Sequence, residues 1–166
     1  PAAEAGHVSL PIGNAEEWEL AQHLVATHGH ASVEEVLSGR GLAGLYSWLA
    51  GREGKGRPPL DGQGVTEALA QGDDPVARQT VGLFLRMLGR ATGDLALTHL
   101  PFGGIWFVGG VAGHLAQAMV TPGLREEFQH GFRDKGRFSD YMSNFRGAVV
   151  TDPYAALRGN LAYLAE

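Results

Sequence analysis

Gly103-Gly104-Ile105-Trp106-Phe107-Val108-Gly109-Gly110-Val111 is the stretch on which the reading of the fold turns. Four apolar residues stand in a row between two glycine pairs, with no polar residue to mark a solvated side. A strand with one wet face alternates, whereas a strand covered on both faces runs apolar throughout, as in parallel sheets. The glycines that follow then turn the chain into a helix predicted over 111–120. Such a turn lets a flat or anionic ligand reach the backbone at the carboxyl end of a strand. A tight strand-to-helix turn without any ligand fits the same residues equally well.

Upstream, Asp74-Pro75 reads as an N-cap followed by proline in the first helical turn. Ala77, Val81, Phe84, Leu88, Ala91 and Leu95 recur at spacings of four and three, which predicts a long helix to about residue 98. Gly82, Gly89 and Gly93 lie inside it. Each costs about 1 kcal/mol relative to alanine, so another backbone is expected to approach there. Downstream come a helix over 123–131, a second buried strand at Ala148-Val149-Val150, and a final helix capped by Asp152-Pro153 and ending near Leu164.

At the other end, Val8 and Leu10 alternate with His7 and Ser9 in a short strand stopped by Pro11. Asn14 and Glu17 frame a helix with Trp18, Ala21 and Val25 on one face, Leu20 and Leu24 beside it, and Gly29 at its end. Ser32 and Glu35 form a second capping signature, for a short helix that Ser38-Gly39-Arg40-Gly41 breaks. Leu42, Leu45, Tyr46 and Leu49 follow at helical spacing, with Gly51 closing that helix. Five Gly and two Pro predict a flexible loop at about 51–64, and two helical turns are expected over 65–71. The order is α/β, with about three strands and several covering helices, so the sheet reads as incomplete.

Composition narrows the function. The chain carries 13 Lys plus Arg against 18 Asp plus Glu, a formal net charge of −5. That balance argues against nucleic acid or an anionic membrane as partner. No apolar run reaches the ~18 residues of a membrane span. Cysteine is absent, which excludes disulfides and thiolate zinc sites. Glycine, at 25 of 166 residues, is about twice as frequent as in average proteins, without a collagen period. The chain begins with Pro1 rather than Met, and either processing or a start inside a longer protein is expected.

Few residues invite chemistry. Glu4 and His7 stand three positions apart; a carboxylate accepts hydrogen bonds and a neutral imidazole both donates and accepts. The pair suits a polyhydroxyl ligand, or a metal if a third ligand existed, which the spacing does not supply. Spacing alone favours a solvated Glu with a His capping a strand end. Glu35 has a capping task, whereas Glu34 does not. Glu34 is free to receive sugar hydroxyls, although compensating a helix dipole is the simpler reading. Gly39 and Gly41, opening a helix, offer amides that suit a phosphate, though many glycine turns precede helices. The seven histidines form no H-E-x-x-H pattern, and neither a P-loop nor a G-x-S-x-G elbow is present.

Taken together, Glu4-Ala5-Gly6-His7-Val8 and Gly29-His30-Ala31-Ser32-Val33-Glu34-Glu35-Val36-Leu37-Ser38-Gly39-Arg40-Gly41-Leu42 resemble the bacterial glucokinase family. Gly89-Arg90 through Leu97, Phe102 through Gly110, Asp134-Lys135-Gly136-Arg137-Phe138, and Asp152-Pro153 with Leu157 and Gly159 agree, in order. Related repressor-type sugar kinases share E-x-G-H but carry a cysteine-rich zinc motif, which this chain lacks. The resemblance implies an actin-like, ribonuclease-H-like ATPase fold, with this chain as part of the helix-rich larger lobe. It implies transfer of the ATP γ-phosphate to the 6-hydroxyl of glucose, with magnesium, in cytoplasmic glycolysis, by a protein that is often dimeric.

By the same resemblance Glu4, His7 and Glu34 bind glucose, and Gly109 and Gly110 lie beside the adenosine, with Gly39 and Gly41 also on the nucleotide side. The family's Asp-x-Gly-Gly-Thr phosphate motif and its Asn-Asp pair, whose Asp is the general base, do not occur here. The expectation is therefore a C-terminal portion without its N-terminal lobe, with no catalytic residue of its own, inactive alone, and with ATP and Mg2+ held mainly elsewhere. Arg40 stands where the family often has proline, and residues 111–114 lack an expected proline. A truncated, non-catalytic sugar-binding or interaction module is the alternative; a metal enzyme built on the histidines is a distant third.

Overall fold

The computed structural model describes residues 3–54, 56–152 and 154–165. Seven α-helices and two short strands appear among them: α1 (Ala15–His28), α2 (Gly39–Glu53), α3 (Gly62–Gln71), α4 (Pro75–His99), β1 (Ile105–Phe107), α5 (Gly110–Ala118), α6 (Leu124–Arg133), β2 (Gly147–Val149) and α7 (Ala155–Leu164). The strands pair in parallel, with Ile105 opposite Gly147 and Phe107 opposite Val149.

Helix α4 is the spine. Asp74 caps it as its sequence signature requires, its Oδ1 accepting from the N–H of Val76 at 2.9 Å and of Ala77 at 3.3 Å. Its central residues are buried nearly all round, with α2, α3 and α6 packed against it and α1 joined to it by ion pairs. The glycines expected to admit another backbone do so against α6. A Cβ on Gly89 would overlap the Phe128 carbonyl, and one on Gly93 would stand 2.7 Å from the Phe132 carbonyl oxygen. Gly82 differs, meeting only side chains, at 3.6 Å and beyond.

A second device locks the same helices. Glu17 is fully buried, yet its carboxylate accepts from the Gly13 amide at 2.6 Å and pairs with Arg90 Nε at 3.1 Å. Arg90 also reaches Asp134 Oδ2 at 2.8 Å, so one guanidinium ties α1, α4 and the end of α6. A buried charge is tolerated only when paired in this way.

Several expectations are corrected. The strand at residues 6–11 is instead a one-turn 3-10 helix, Ala5–His7, followed by a single antiparallel bridge between Ser9 and Ser32. The turn closes because the His7 amide donates to the Glu4 carbonyl at 3.0 Å, which leaves Val8 exposed and Leu10 buried. Ser32 is engaged in that bridge, so no capped helix begins there; 33–37 form an isolated turn. Ser38 is the true N-cap, its Oγ accepting from the Gly41 N–H, and 39–41 open α2 rather than break a helix. On α1 the buried stripe is Glu17, Leu20, Ala21 and Leu24, with Trp18 and Val25 outside.

The irregular segment is shorter than 51–64, because α2 runs to Glu53 with Gly54 as its left-handed cap, and Asp61 caps α3. Neither strand is covered on both faces: Trp106 is 66% exposed, and Gly147 and Ala148 are exposed. Phe107 turns toward Phe128 of α6, at 5.9 Å between ring centroids, while Trp106 faces away. Helix α7 buries no residue, and Leu157, Leu161 and Leu164 are exposed. Asp152 accepts from the Tyr154 N–H at 2.9 Å, whereas the Pro153 half of that signature lies outside the described residues. Among the described residues no helix is long and apolar enough to cross a membrane.

Candidate functional site

Two stretches distant in sequence meet beside the first turn of the chain. The Glu34 N–H donates to the Gly6 carbonyl at 2.7 Å, and the Val33 N–H to the Val8 carbonyl at 3.0 Å. The Glu34 carboxylate folds over Gly6, so that a Cβ there would stand 3.2 Å from Glu34 Oε2. Glu4 and His7 flank the same glycine, His7 Nε2 lying 3.9 Å from Glu4 Oε2 with both side chains largely exposed. Glu34 is half-buried. The result is two carboxylates and an imidazole gathered around one glycine. Two acceptors and a group that both donates and accepts suit a ligand rich in hydroxyls.

The four glycines expected near nucleotide divide. Gly39 has open space where a Cβ would stand, and so do Gly109 and Gly110. Gly109 holds φ 108°, a left-handed value that a glycine adopts without strain, and Gly110 begins α5 with no side chain capping it. Gly41 is engaged inside the chain. Its N–H donates to Ser38 Oγ at 2.9 Å, and a Cβ would overlap the Val36 carbonyl.

Gly39 and Val111, the residue after Gly110, line one cleft of about 330 Å³ between the starts of α2 and α3 and the side of α5. Arg40, Asp61, Gln63, Thr66 and His114 complete its polar lining. Asp61 and His114 were not singled out from the sequence. Asp61 is the N-cap of α3, a signal that the glycines and prolines around it mask in the sequence. His114 had no partner in sequence to mark it.

Asp134 and Lys135, part of the D-K-G-R-F stretch, serve the scaffold. Lys135 Nζ donates to Asp94 Oδ1 at 2.6 Å and to the Arg90 carbonyl at 3.1 Å. The hydrogen bond from Arg90 holds the Asp134 carboxyl below the ordinary carboxylate range, against a smaller opposing effect of burial.

The family model for glucokinase matches residues 1–166. The glucokinase of Rhizobium etli is 34% identical over 160 residues, covering 96% of this chain and 46% of that protein. That of Nitrobacter hamburgensis is 36% identical over 156 residues, covering 94% and 48%. Among solved structures, the glucokinase of an Antarctic psychrotroph superposes with a TM-score of 0.83 at 32% identity, over 99% of this chain and 50% of that one. The glucokinase of Balamuthia mandrillaris in complex with glucose has a TM-score of 0.80 at 20% identity, a likeness of fold, over 91% and 43%. The chain thus spans about half the length of the relatives it matches, and its helix-rich architecture is part of their actin-like ATPase fold. This chain belongs to the glucokinase family.

Proposed function

We propose that this chain supplies the sugar-contacting surface and one wall of the nucleotide cleft of a cytoplasmic, glycolytic glucokinase. The observation that carries the reading is the gathering of Glu4, His7 and Glu34 around Gly6. In it, Glu4 and Glu34 accept protons of sugar ring hydroxyls, and His7 orients a further hydroxyl. Glu34 is the best placed, because its half-buried carboxylate is held over a main-chain turn and its hydrogen bonds compete less with water.

The reaction breaks the bond between the γ-phosphorus and its bridging oxygen, forms one to the 6-oxygen of glucose, and passes the hydroxyl proton to a carboxylate base. Such transfer depends on positioning and on charge stabilisation. The cleft lined by Gly39 and by Val111, the residue after Gly110, suits the nucleotide, and no atom beyond the adjoining chain stands within 4 Å of where a Cβ on Gly39, Gly109 or Gly110 would lie. Magnesium, which would supply charge neutralisation at the phosphates, is commonly held by one or two carboxylates together with the phosphates themselves; Asp61 is the carboxylate that lines this cleft. We assign this chain sugar and nucleotide contacts, with magnesium held mainly by the portion of the enzyme outside it, and place the base there as well.

Calorimetric titration of the purified protein with glucose tests the sugar surface; millimolar or tighter binding, lost in Glu34→Gln, is expected. Joining the chain to the portion of the Rhizobium etli glucokinase that it does not span is expected to yield glucose-dependent ADP formation from ATP. Absence of both binding and turnover would sink the reading, whereas binding without turnover would favour a non-catalytic sugar module.

A further inference from the structure

Glu35 loses in the fold the task its spacing suggests. No helix begins at Ser32, which bridges to Ser9, so Glu35 caps nothing. Its side chain is nevertheless only 20% exposed, and both carboxylate oxygens face a partner. Oε1 accepts from Arg40 Nη2 at 3.1 Å, and Oε2 lies 3.5 Å from His28 Nε2. His28 is the last residue of α1 and Arg40 the second of α2. One carboxylate thus spans the end of one helix and the start of the next. His23 and Asp61 line the same hollow. Asp61 is occupied in capping α3, where it accepts from the Gly64 N–H at 2.7 Å, which leaves Glu35 as the anion for both helices.

The turn between those helices carries Glu34. It closes through the N–H groups of Val36 and Leu37, which donate to the Val33 carbonyl at 3.1 and 2.7 Å. On one side its main chain is tied to the carbonyls of Gly6 and Val8. On the other side α2 rests on it, since a Cβ on Gly41 would overlap the Val36 carbonyl and stand 2.8 Å from the Glu35 carbonyl oxygen. No side-chain hydrogen bond or ion pair among the described residues holds the Glu34 carboxylate itself. Its place over Gly6 is set by the turn, and what fixes the turn fixes the carboxylate.

We propose that Glu35 is a positioning residue: by bridging His28 and Arg40 it holds the turn that presents Glu34 to the sugar. This rests on the assignment of Glu34 to glucose. It goes further in naming a neighbour that touches no ligand and acts through Glu34. The Arg40 side chain is 71% exposed, and an ion pair so exposed adds little to global stability. Its effect is local, because a binding group keeps its geometry only when the residues behind it are themselves held.

Calorimetry with glucose, thermal melting and amide hydrogen exchange of the purified protein test the proposal. Glu35→Gln is expected to weaken glucose about fivefold, as for neighbouring residues that act through one another, with an unchanged melting temperature. It is also expected to speed exchange of the Val33 and Glu34 amides but not of those inside α1 and α2. Arg40→Gln is expected to act in the same direction and less strongly, because His28 keeps one oxygen of Glu35; it serves as the test should Glu35→Gln not fold. Reversing the pair, Glu35→Arg with Arg40→Glu, is expected to recover part of the affinity that Glu35→Arg alone loses. Unchanged or tighter glucose binding in Glu35→Gln and Arg40→Gln overturns the proposal and leaves the sugar assignment of Glu34 intact. A lowered melting temperature at unchanged affinity, or no recovery on reversal, overturns it as well and makes the pair structural only. Failure of the unsubstituted protein to bind glucose overturns the sugar surface and this proposal together.

Discussion

The amide of Glu34 donates to the carbonyl of Gly6 across 2.7 Å, and the Glu34 carboxylate lies back over the same glycine. That one main-chain bond joins segments 28 residues apart and sets the acid of one over Gly6, the residue before His7.

Glu34→Gln keeps the shape of the side chain and removes its charge. Glucose affinity is expected to fall about tenfold or more, as for loss of a charge-assisted hydrogen bond, with an unchanged melting temperature. Gly6→Ala presses a methyl group on the carboxylate at 3.2 Å and is expected to weaken glucose binding in the same direction. Calorimetry beside a thermal melt checks both. Loss of stability in place of affinity would show the carboxylate to be structural.

The α4–α6 contact predicts opposite outcomes for glycines of the same kind. Gly131 of α6 meets the Arg86 carbonyl so closely that an added Cβ overlaps it. Gly131→Ala is expected to destabilise the fold by about 1–3 kcal/mol, since main chain cannot step aside cheaply. Gly82→Ala meets only side chains at van der Waals distance and is expected to be neutral or to stabilise by up to about 1 kcal/mol through helix propensity. Urea unfolding of the two variants separates them.

Removing the partner of a buried charge is worse than removing the pair. Arg90→Ala leaves Glu17, fully buried, without its guanidinium, at an expected loss of about 3–5 kcal/mol. Glu17→Gln combined with Arg90→Met is expected to recover part of that loss, because no fully buried charge is left without its partner while the partly exposed Asp134 stays hydrated. Equal destabilisation in the two backgrounds, measured by denaturant midpoint, would count against the ion pair as the cause.

Acid stability should respond to Asp74. Burial opposes its ionisation, but the Tyr46 hydroxyl at 2.7 Å, the amides of Ala77 and Val76, and Arg57 together hold its carboxyl below the ordinary value. The unfolded chain therefore binds a proton more readily than the folded one. The contribution is complete above the unfolded value, about pH 4, and is lost as pH falls through the lower folded value. Asp74→Asn keeps an N-cap of similar strength but lacks the carboxylate's contribution, so lower stability at neutral pH and a shallower acid limb are expected in a melting profile, the two proteins converging at low pH. An unaltered acid limb contradicts the assignment.

Long-period patterns were legible because they depend on neighbours in sequence. The Asp74-Pro75 cap, the α4 repeat and the close approach of another backbone at Gly89 and Gly93 are legible in the sequence, as is the parallel type of the strand at Ile105–Phe107. So is the Asn14 cap, whose Oδ1 accepts from the Glu17 N–H at 2.9 Å. The capping reading also hid something: Glu17 was assigned to a local task, and its pairing with Arg90, 73 residues away, leaves no sequence signal.

What the sequence determined by itself was a set of helices with defined caps, a parallel strand pair, and an ordered series of motifs shared with one family. Each rests on local spacing, propensity and hydrogen bonding within a turn. Only the tertiary structure decided that Trp18 faces outward and Leu20 inward, that Ser32 bridges to Ser9 instead of capping a helix, and that Ser38 opens α2. It also decided that Gly39 and Val111 of α5 line one cleft while Gly41 is closed off by Val36. Those outcomes depend on which surfaces exclude water together, and a partner dozens of residues away leaves no mark on local spacing.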